Sequence, residues 1–256
     1  MKKIIQIVLF LIFVSPMTLK AQDPLKNIQE RITDSFNGFF EKKDGTAFDA
    51  LISELKAAHD QRPANNLISY WYAYALYRRA ITEMAVKNEK RTEKLNDQAI
   101  ELMEGIKRKS SEDYALLATV TNYSLAFTSF FSAPFKSKKA VNYADDALAL
   151  DKENLRAYLM KGVNDFYTPK RFGGGKHTVE YLEKAISLPD KSATGPYAPT
   201  WGKSEAYWYL IRFYWKEGEK KKAKEAVTKA SGLYPNDVLI RNMRKLIDKE
   251  APKTKK

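Results

Sequence analysis

The chain has 256 residues, 44% of them hydrophobic and 29% charged, with a formal net charge of +13. Such a composition is ordinary for a folded chain and excludes collagen-like and low-complexity classes. There is no cysteine and only two histidines, which excludes a disulfide scaffold, a thiolate metal site, a cysteine nucleophile and a lipid-modified N-terminal cysteine.

Lys2 and Lys3 precede residues 4–14, which are apolar except for Gln6, and a small residue, Ala21, follows. A positive start, a short apolar run and a small residue in that order mark a secretory signal. The run of about 11 residues falls short of the roughly 20 that span a bilayer as a helix. The junction Leu19-Lys20-Ala21-Gln22 resembles bacterial signals of the Bacteroidetes type. The expected organisation is a removable signal over 1–21, one helical domain over 22–250 and a disordered basic tail over 251–256. The expected location is the periplasm or outside the cell, with no integral membrane segment once the signal is gone. Signal removal takes away Lys2, Lys3 and Lys20 and no acid, lowering the formal charge by three. The remaining surplus sits largely in lysine-rich segments such as 219–224 and the tail, which read as solvated faces. Export argues against nucleic acid as the partner.

From residue 25 onward, apolar residues recur at helical spacing. Leu25, Ile28, Ile32, Phe36, Phe39 and Phe40 form one stripe, and Phe48, Leu51, Ile52 and Leu55 a second. Alternation of strand length is absent, so the chain reads as all-α. Leu51, Leu55, Ala58 and Pro63 fit the second half of a first hairpin. Residues 67–88 and 91–108 make a long pair. Tyr114, Leu117, Ala118 and Thr121 open the next hairpin, whose turn around 127–134 takes up about ten extra residues. Its second helix carries Ala140, Ala144, Ala147 and Leu150. The same spacing returns in Thr178, Leu182, Ala185 and Leu188, and again in Ala223, Val227, Ala230 and Leu233. Small residues belong where two helices cross closely. Gly218 ends a helix where a left-handed residue is cheap, and Pro235 stops the next. Asn236 or Asp237 then caps a last helix over 238–249, with Leu239, Met243, Leu246 and Ile247 facing inward.

The segment Tyr207-x2-Leu210-Ile211-x2-Tyr214, followed by Gly218, Ala223, Val227, Ala230 and Pro235, resembles a tetratricopeptide (TPR) repeat over about 204–237. The resemblance implies a right-handed α-solenoid of four to five hairpins closed by a capping helix, with first helices lining a concave groove. The spacing from Ala147 to Ala185 and from Ala185 to Ala230 exceeds the repeat length of about 34 residues, placing insertions at 168–176 and 192–203. Groove positions carried over from the family are Trp208, Arg212 and Trp215 in the last hairpin. In the one before they are Leu159, Val163 and Phe166, with Arg156 at the entrance. Earlier positions are Ala115, Thr119 and Asn122, then Trp71, Ala75, Arg78 and Arg79. Trp and Arg dominate binding hot spots because they join large area to hydrogen-bond donors, so Trp71, Arg78, Asn122, Arg156, Phe166, Trp208, Arg212 and Trp215 are the candidate partner-binding residues. The same aromatics also serve as packing between hairpins. The lysine and asparagine set of the family's carboxylate clamp is absent.

The run Arg171-Phe172-Gly173-Gly174-Gly175-Lys176 with Leu182-x2-Ala185 is also similar to periplasmic repeat proteins that accompany TRAP-type uptake transporters. The glycine run is not a phosphate loop, because His177 follows the lysine and no strand precedes. It reads as a flexible turn, with Phe172 tucked beneath and Lys170, Arg171 and Lys176 in water. His59 and His177 stand alone, with no zinc-binding spacing. No catalytic, cofactor or metal site is expected. The expected function is a non-enzymatic scaffold that binds a protein or peptide partner of the cell envelope in the aromatic groove, the alternative a carrier subunit that delivers a small or apolar ligand to a TRAP-type envelope transporter. A sealed cavity lined by Phe127, Phe130, Phe131 and Phe166 would mark the carrier.

Overall fold

The structure, a computed structural model, describes residues 23–190 and 195–250. The expected signal over 1–21, the expected tail over 251–256 and residues 191–194 of the insertion lie outside the described residues. Eleven α-helices make up the described chain: α1 (Ile28–Lys42), α2 (Thr46–Gln61), α3 (Asn66–Ala85), α4 (Glu89–Gly105), α5 (Ser111–Tyr123), α6 (Ala133–Leu150), α7 (Leu155–Tyr167), α8 (Thr178–Ser187), α9 (Lys203–Lys216), α10 (Lys220–Leu233) and α11 (Val238–Glu250). Short 3₁₀ turns at Ser124–Phe127 and Lys170–Phe172 follow α5 and α7. No strand occurs among the described residues. The helices pack as five successive antiparallel hairpins, α1/α2 to α9/α10, with α11 laid on the last. This is an all-α solenoid.

Local chemistry places the helix starts. The Asn65 side chain accepts from the backbone N–H groups of Leu67 and Ile68 at 3.1 and 3.3 Å. Asn154 does the same for Arg156 and Ala157, both at 3.0 Å. Ser110 and Asp113 cap α5 reciprocally, and Asp237 accepts from Leu239 and Ile240. Each such cap contributes about 1 kcal/mol. Gly218 takes φ 79° where α9 ends.

Ala140, Ala144 and Ala147 on α6, Ala185 on α8, and Ala223 and Ala230 on α10 are all fully buried at helix crossings. A larger side chain there has no room. Replacing Ala223 by leucine is expected to cost about 1–3 kcal/mol by overpacking, read as a lower Tm in thermal unfolding. An unchanged Tm would contradict the crossing.

Two expected placements differ. On α11, Ile247 is buried and Leu239 and Met243 pack against the core as expected, whereas Leu246 faces solvent and Val238 and Ile240 are buried besides. Leu150 and Leu233 end α6 and α10 in solvent. Phe172 is exposed rather than tucked beneath its turn. The turn is held by backbone, with Gly175 N–H donating to the Asp165 carbonyl at 3.0 Å. A Cβ on Gly174 would sit 1.9 Å from the Thr168 carbonyl oxygen, which leaves no space beneath for a ring.

The concave side is not open along its length. The described part of the insertion, residues 195–202, packs against α3 and α7, with Pro199, Trp201 and Gly202 buried. Trp71 Nε1 donates to the Tyr197 carbonyl at 3.1 Å. Trp201 Nε1 donates to the Tyr70 hydroxyl at 2.9 Å, and its ring stacks on Tyr74 at 4.8 Å. The two ends of the array meet: Asn37 donates to the Asn236 carbonyl at 3.2 Å, and Glu41 pairs with Arg241 at 2.8 Å.

Candidate functional site

Seven of the eight candidate residues fall into three places, and Asn122 lies apart from them. Trp71, Arg78 and Arg156 lie buried beneath the insertion and α9. Arg78 pairs with Glu205 at 2.6 Å and stands 3.7 Å over the Phe36 ring. Arg156 is wholly enclosed and engaged on every side. It holds Glu112 through Nε at 2.5 Å and Nη2 at 3.1 Å. It also donates to the carbonyls of Trp201 at 2.8 Å, Pro199 at 2.7 Å and Asp190 at 3.3 Å. Arg79, next to Arg78 in the chain, is buried as well, paired with Glu83 and Asp49. Asn122 is a link in a buried amide chain, accepting from Asn164 at 2.8 Å, which also meets Ser137.

Phe166, Trp208 and Arg212 come together in a second place. The Arg212 guanidinium lies 4.4 Å over Trp208 and 5.2 Å over Phe166, and donates to the Tyr167 hydroxyl at 3.0 Å. Tyr209 packs edge-on to Phe166 and Tyr167 at 5.8 and 6.1 Å. Tyr77 meets Tyr123 at 5.3 Å, and Tyr123 meets Phe127 at 6.1 Å. The two groups lie on neighbouring first helices, the one on α3 and α5 and the other on α7 and α9. Together α3, α5, α7 and α9 form a recessed aromatic cleft whose rings are mostly half-buried. Burial pushes the hydroxyls of Tyr77, Tyr123 and Tyr209 well above the usual phenol range, so all three remain neutral donors. The Tyr123 Oη is buried without a hydrogen-bond partner, an arrangement that costs about 1–3 kcal/mol unless a partner arrives.

Trp215 is in the third place, half-buried with the Lys220 ammonium 3.0 Å from its ring centre. Phe130 and Phe131 stand out in solvent, so Phe127, Phe130, Phe131 and Phe166 enclose no sealed cavity. No cluster of three His, Asp or Glu suited to a metal ion occurs among the described residues.

The tyrosines of the cleft were not among the candidates. A signal for two of them exists: Tyr123 and Tyr167 are each the last residue of a first helix. Tyr77 and Tyr209 sit mid-helix and carry no such mark.

No family model matches the chain, and no curated protein is significantly similar to it. Among solved structures it is similar to a thermophilic TPR protein from Thermus thermophilus, at 15% identity and TM-score 0.59, over 87% of this chain and 97% of that one. The fold is that of the tetratricopeptide repeat. The HusA haemophore from Porphyromonas gingivalis is also similar, at 20% identity and TM-score 0.51, over 74% of this chain and 94% of that one. Within the TPR fold, first helices α3, α5, α7 and α9 supply the concave side. In this chain part of that side is occupied by its own insertion and part is left as the aromatic cleft.

Proposed function

We propose that the chain is a non-enzymatic TPR scaffold of the cell envelope that grips an extended segment of a protein partner in the aromatic cleft. The observation that supports this most is the unpartnered Tyr123 hydroxyl, buried beside the rings of Tyr77 and Phe127. A partner backbone carbonyl satisfies the hydroxyl, an acidic side chain suits Arg212, and apolar side chains suit Trp208, Phe166 and Phe127. The signal-like residues 1–21 support a periplasmic placement.

A Trp208→Ala/Arg212→Ala double variant is expected to capture its partner from a cell-envelope extract about tenfold less well, since hot-spot losses exceed about 1–2 kcal/mol. Helical circular dichroism should stay the same. Equal capture by variant and parent would remove the cleft from the binding surface.

A second reading is a carrier that delivers a small apolar ligand to an envelope transporter, of TRAP type on the sequence resemblance. The likeness to a haemophore favours it, and a ring-lined cleft suits a flat apolar molecule. Native mass spectrometry of the purified chain and an absorbance titration with haem test this reading separately. A copurified small molecule, or a haem spectrum that shifts for the parent and not for the double variant, supports the carrier over the scaffold.

A further inference from the structure

Large apolar side chains in solvent are unevenly placed. The turns joining the first to the second helix of each hairpin lie along one rim of a solenoid, and the returning turns lie along the other. Neighbouring turns on the first rim touch. Lys170 after α7 pairs with Glu217 after α9 at 2.6 Å, and Asn164 near the end of α7 bonds both Asn122 of α5 and Ser137 of α6. Phe130 (67% exposed), Phe131 (84%), Phe135 (78%) and Phe172 (62%) all lie on this rim, and Val86 adds to it. Phe130 and Phe131 form an edge-on pair at 5.9 Å. The opposite rim exposes only the single leucines Leu150 and Leu233 among large apolar side chains of the described residues. Isolated leucines are normal on a surface, whereas a cluster of phenylalanines marks an interaction site.

The same rim is basic. Lys136 and Lys138 follow Phe135 on the first turns of α6, and Arg171 and Lys176 flank Phe172 and the glycine turn. Among the described residues these four form no ion pair; Arg171 only leans on the Phe172 ring at 4.8 Å. The acids of the neighbouring turn, Glu217 and Glu219, are taken by Lys170 and Lys222. Rings projecting beyond a collar of unpaired cations match a surface that is apolar within and anionic at its face. No described helix is long and apolar enough to cross a membrane, so attachment here means lying at the interface.

We propose that this rim docks the protein on an anionic phospholipid bilayer. Phe130, Phe131 and Phe135 enter the boundary between headgroups and acyl chains, and Lys136, Lys138, Arg171 and Lys176 meet the phosphates. The inference stands apart from the cleft, whose residues it does not use.

The test uses the chain from Gln22 onward, which holds all the described helices, because residues 4–14 would partition into lipid by themselves. Vesicles are phosphatidylcholine alone or an equimolar mixture with phosphatidylglycerol. Cosedimentation is expected with the mixture, about tenfold above phosphatidylcholine alone and weakened by added salt. A Phe130→Ser/Phe131→Ser/Phe135→Ser variant is expected to lose binding about tenfold while keeping its Tm, because these side chains stand mostly in solvent. Phe131→Trp should show blue-shifted emission on the anionic vesicles only. Absence of binding to the mixture, or equal binding by the triple-serine variant, overturns the proposal. So does a parent chain that self-associates through these phenylalanines and ignores lipid, which would make the rim a contact between copies of the chain.

Discussion

Replacing Arg156 by alanine is expected to lower stability by about 3–5 kcal/mol, the range for removing one partner of a buried ion pair. In a domain of this size that corresponds to roughly 6–20 °C in Tm, measured by circular dichroism. The reason is the number of groups that depend on one guanidinium. Glu112 would lose its guanidinium in a site where it is almost fully covered. The carbonyls of Pro199 and Trp201 would lose their donor. These contacts join α5, α7 and the insertion, so the loss is not confined to one hairpin. Converting the pair to Arg156→Met/Glu112→Leu removes the buried carboxylate along with the guanidinium but leaves the carbonyls unpaired. Stability should therefore return only in part. Full recovery would show that the ion pair, and not the clamp on the insertion, carries the effect.

Trp201→Ala is expected to cost a comparable amount, about 3–5 kcal/mol, as for other buried large-to-alanine changes. The indole fills the concave side between Tyr74 and Arg156, and its N–H serves the Tyr70 hydroxyl. Burial holds that hydroxyl's pKa well above the usual range, so it stays neutral and would be left without its donor. The insertion should then detach from α3. Hydrogen exchange at residues 195–202 should accelerate far more than exchange in α10 or α11. Because Arg156 and Trp201 share contacts, the double variant should cost less than the two single losses added together. Additive losses, or uniform exchange across the array, would falsify the idea that the insertion is a bound inner strap.

Much of the fold was legible because its signals are local. Ala140, Ala144, Ala147, Ala185, Ala223 and Ala230 occupy helix crossings where they were expected, since close packing of two helices requires small side chains wherever it occurs. Gly218, Pro235 and Asp237 punctuate helices through their own backbone and side-chain chemistry. The register of α11 was less legible, because Leu239, Ile240, Leu246 and Ile247 offer two overlapping stripes, and only the surface of α9 and α10 chooses between them.

The candidate site was legible in part. Phe166, Trp208 and Arg212 meet in one cleft, since they lie on corresponding faces of adjacent first helices. Trp71, Arg78 and Arg156 lie on such faces too but are covered by residues 195–202 and α9. Arg79 points at the α1–α2 turn, where the space of a missing Cβ at Gly45 takes its guanidinium.

From its own residues the chain determines that it is helical, that the helices pair in series and where each pair turns, because those outcomes depend on neighbours within about a dozen positions. Tertiary structure alone decides that the array curls until α1 reaches the α10–α11 turn and α11, that an insertion fills the inside, and that four tyrosines from four helices converge. Those contacts join residues far apart in the chain, and their geometry is the sum of small rotations between hairpins that no single segment encodes.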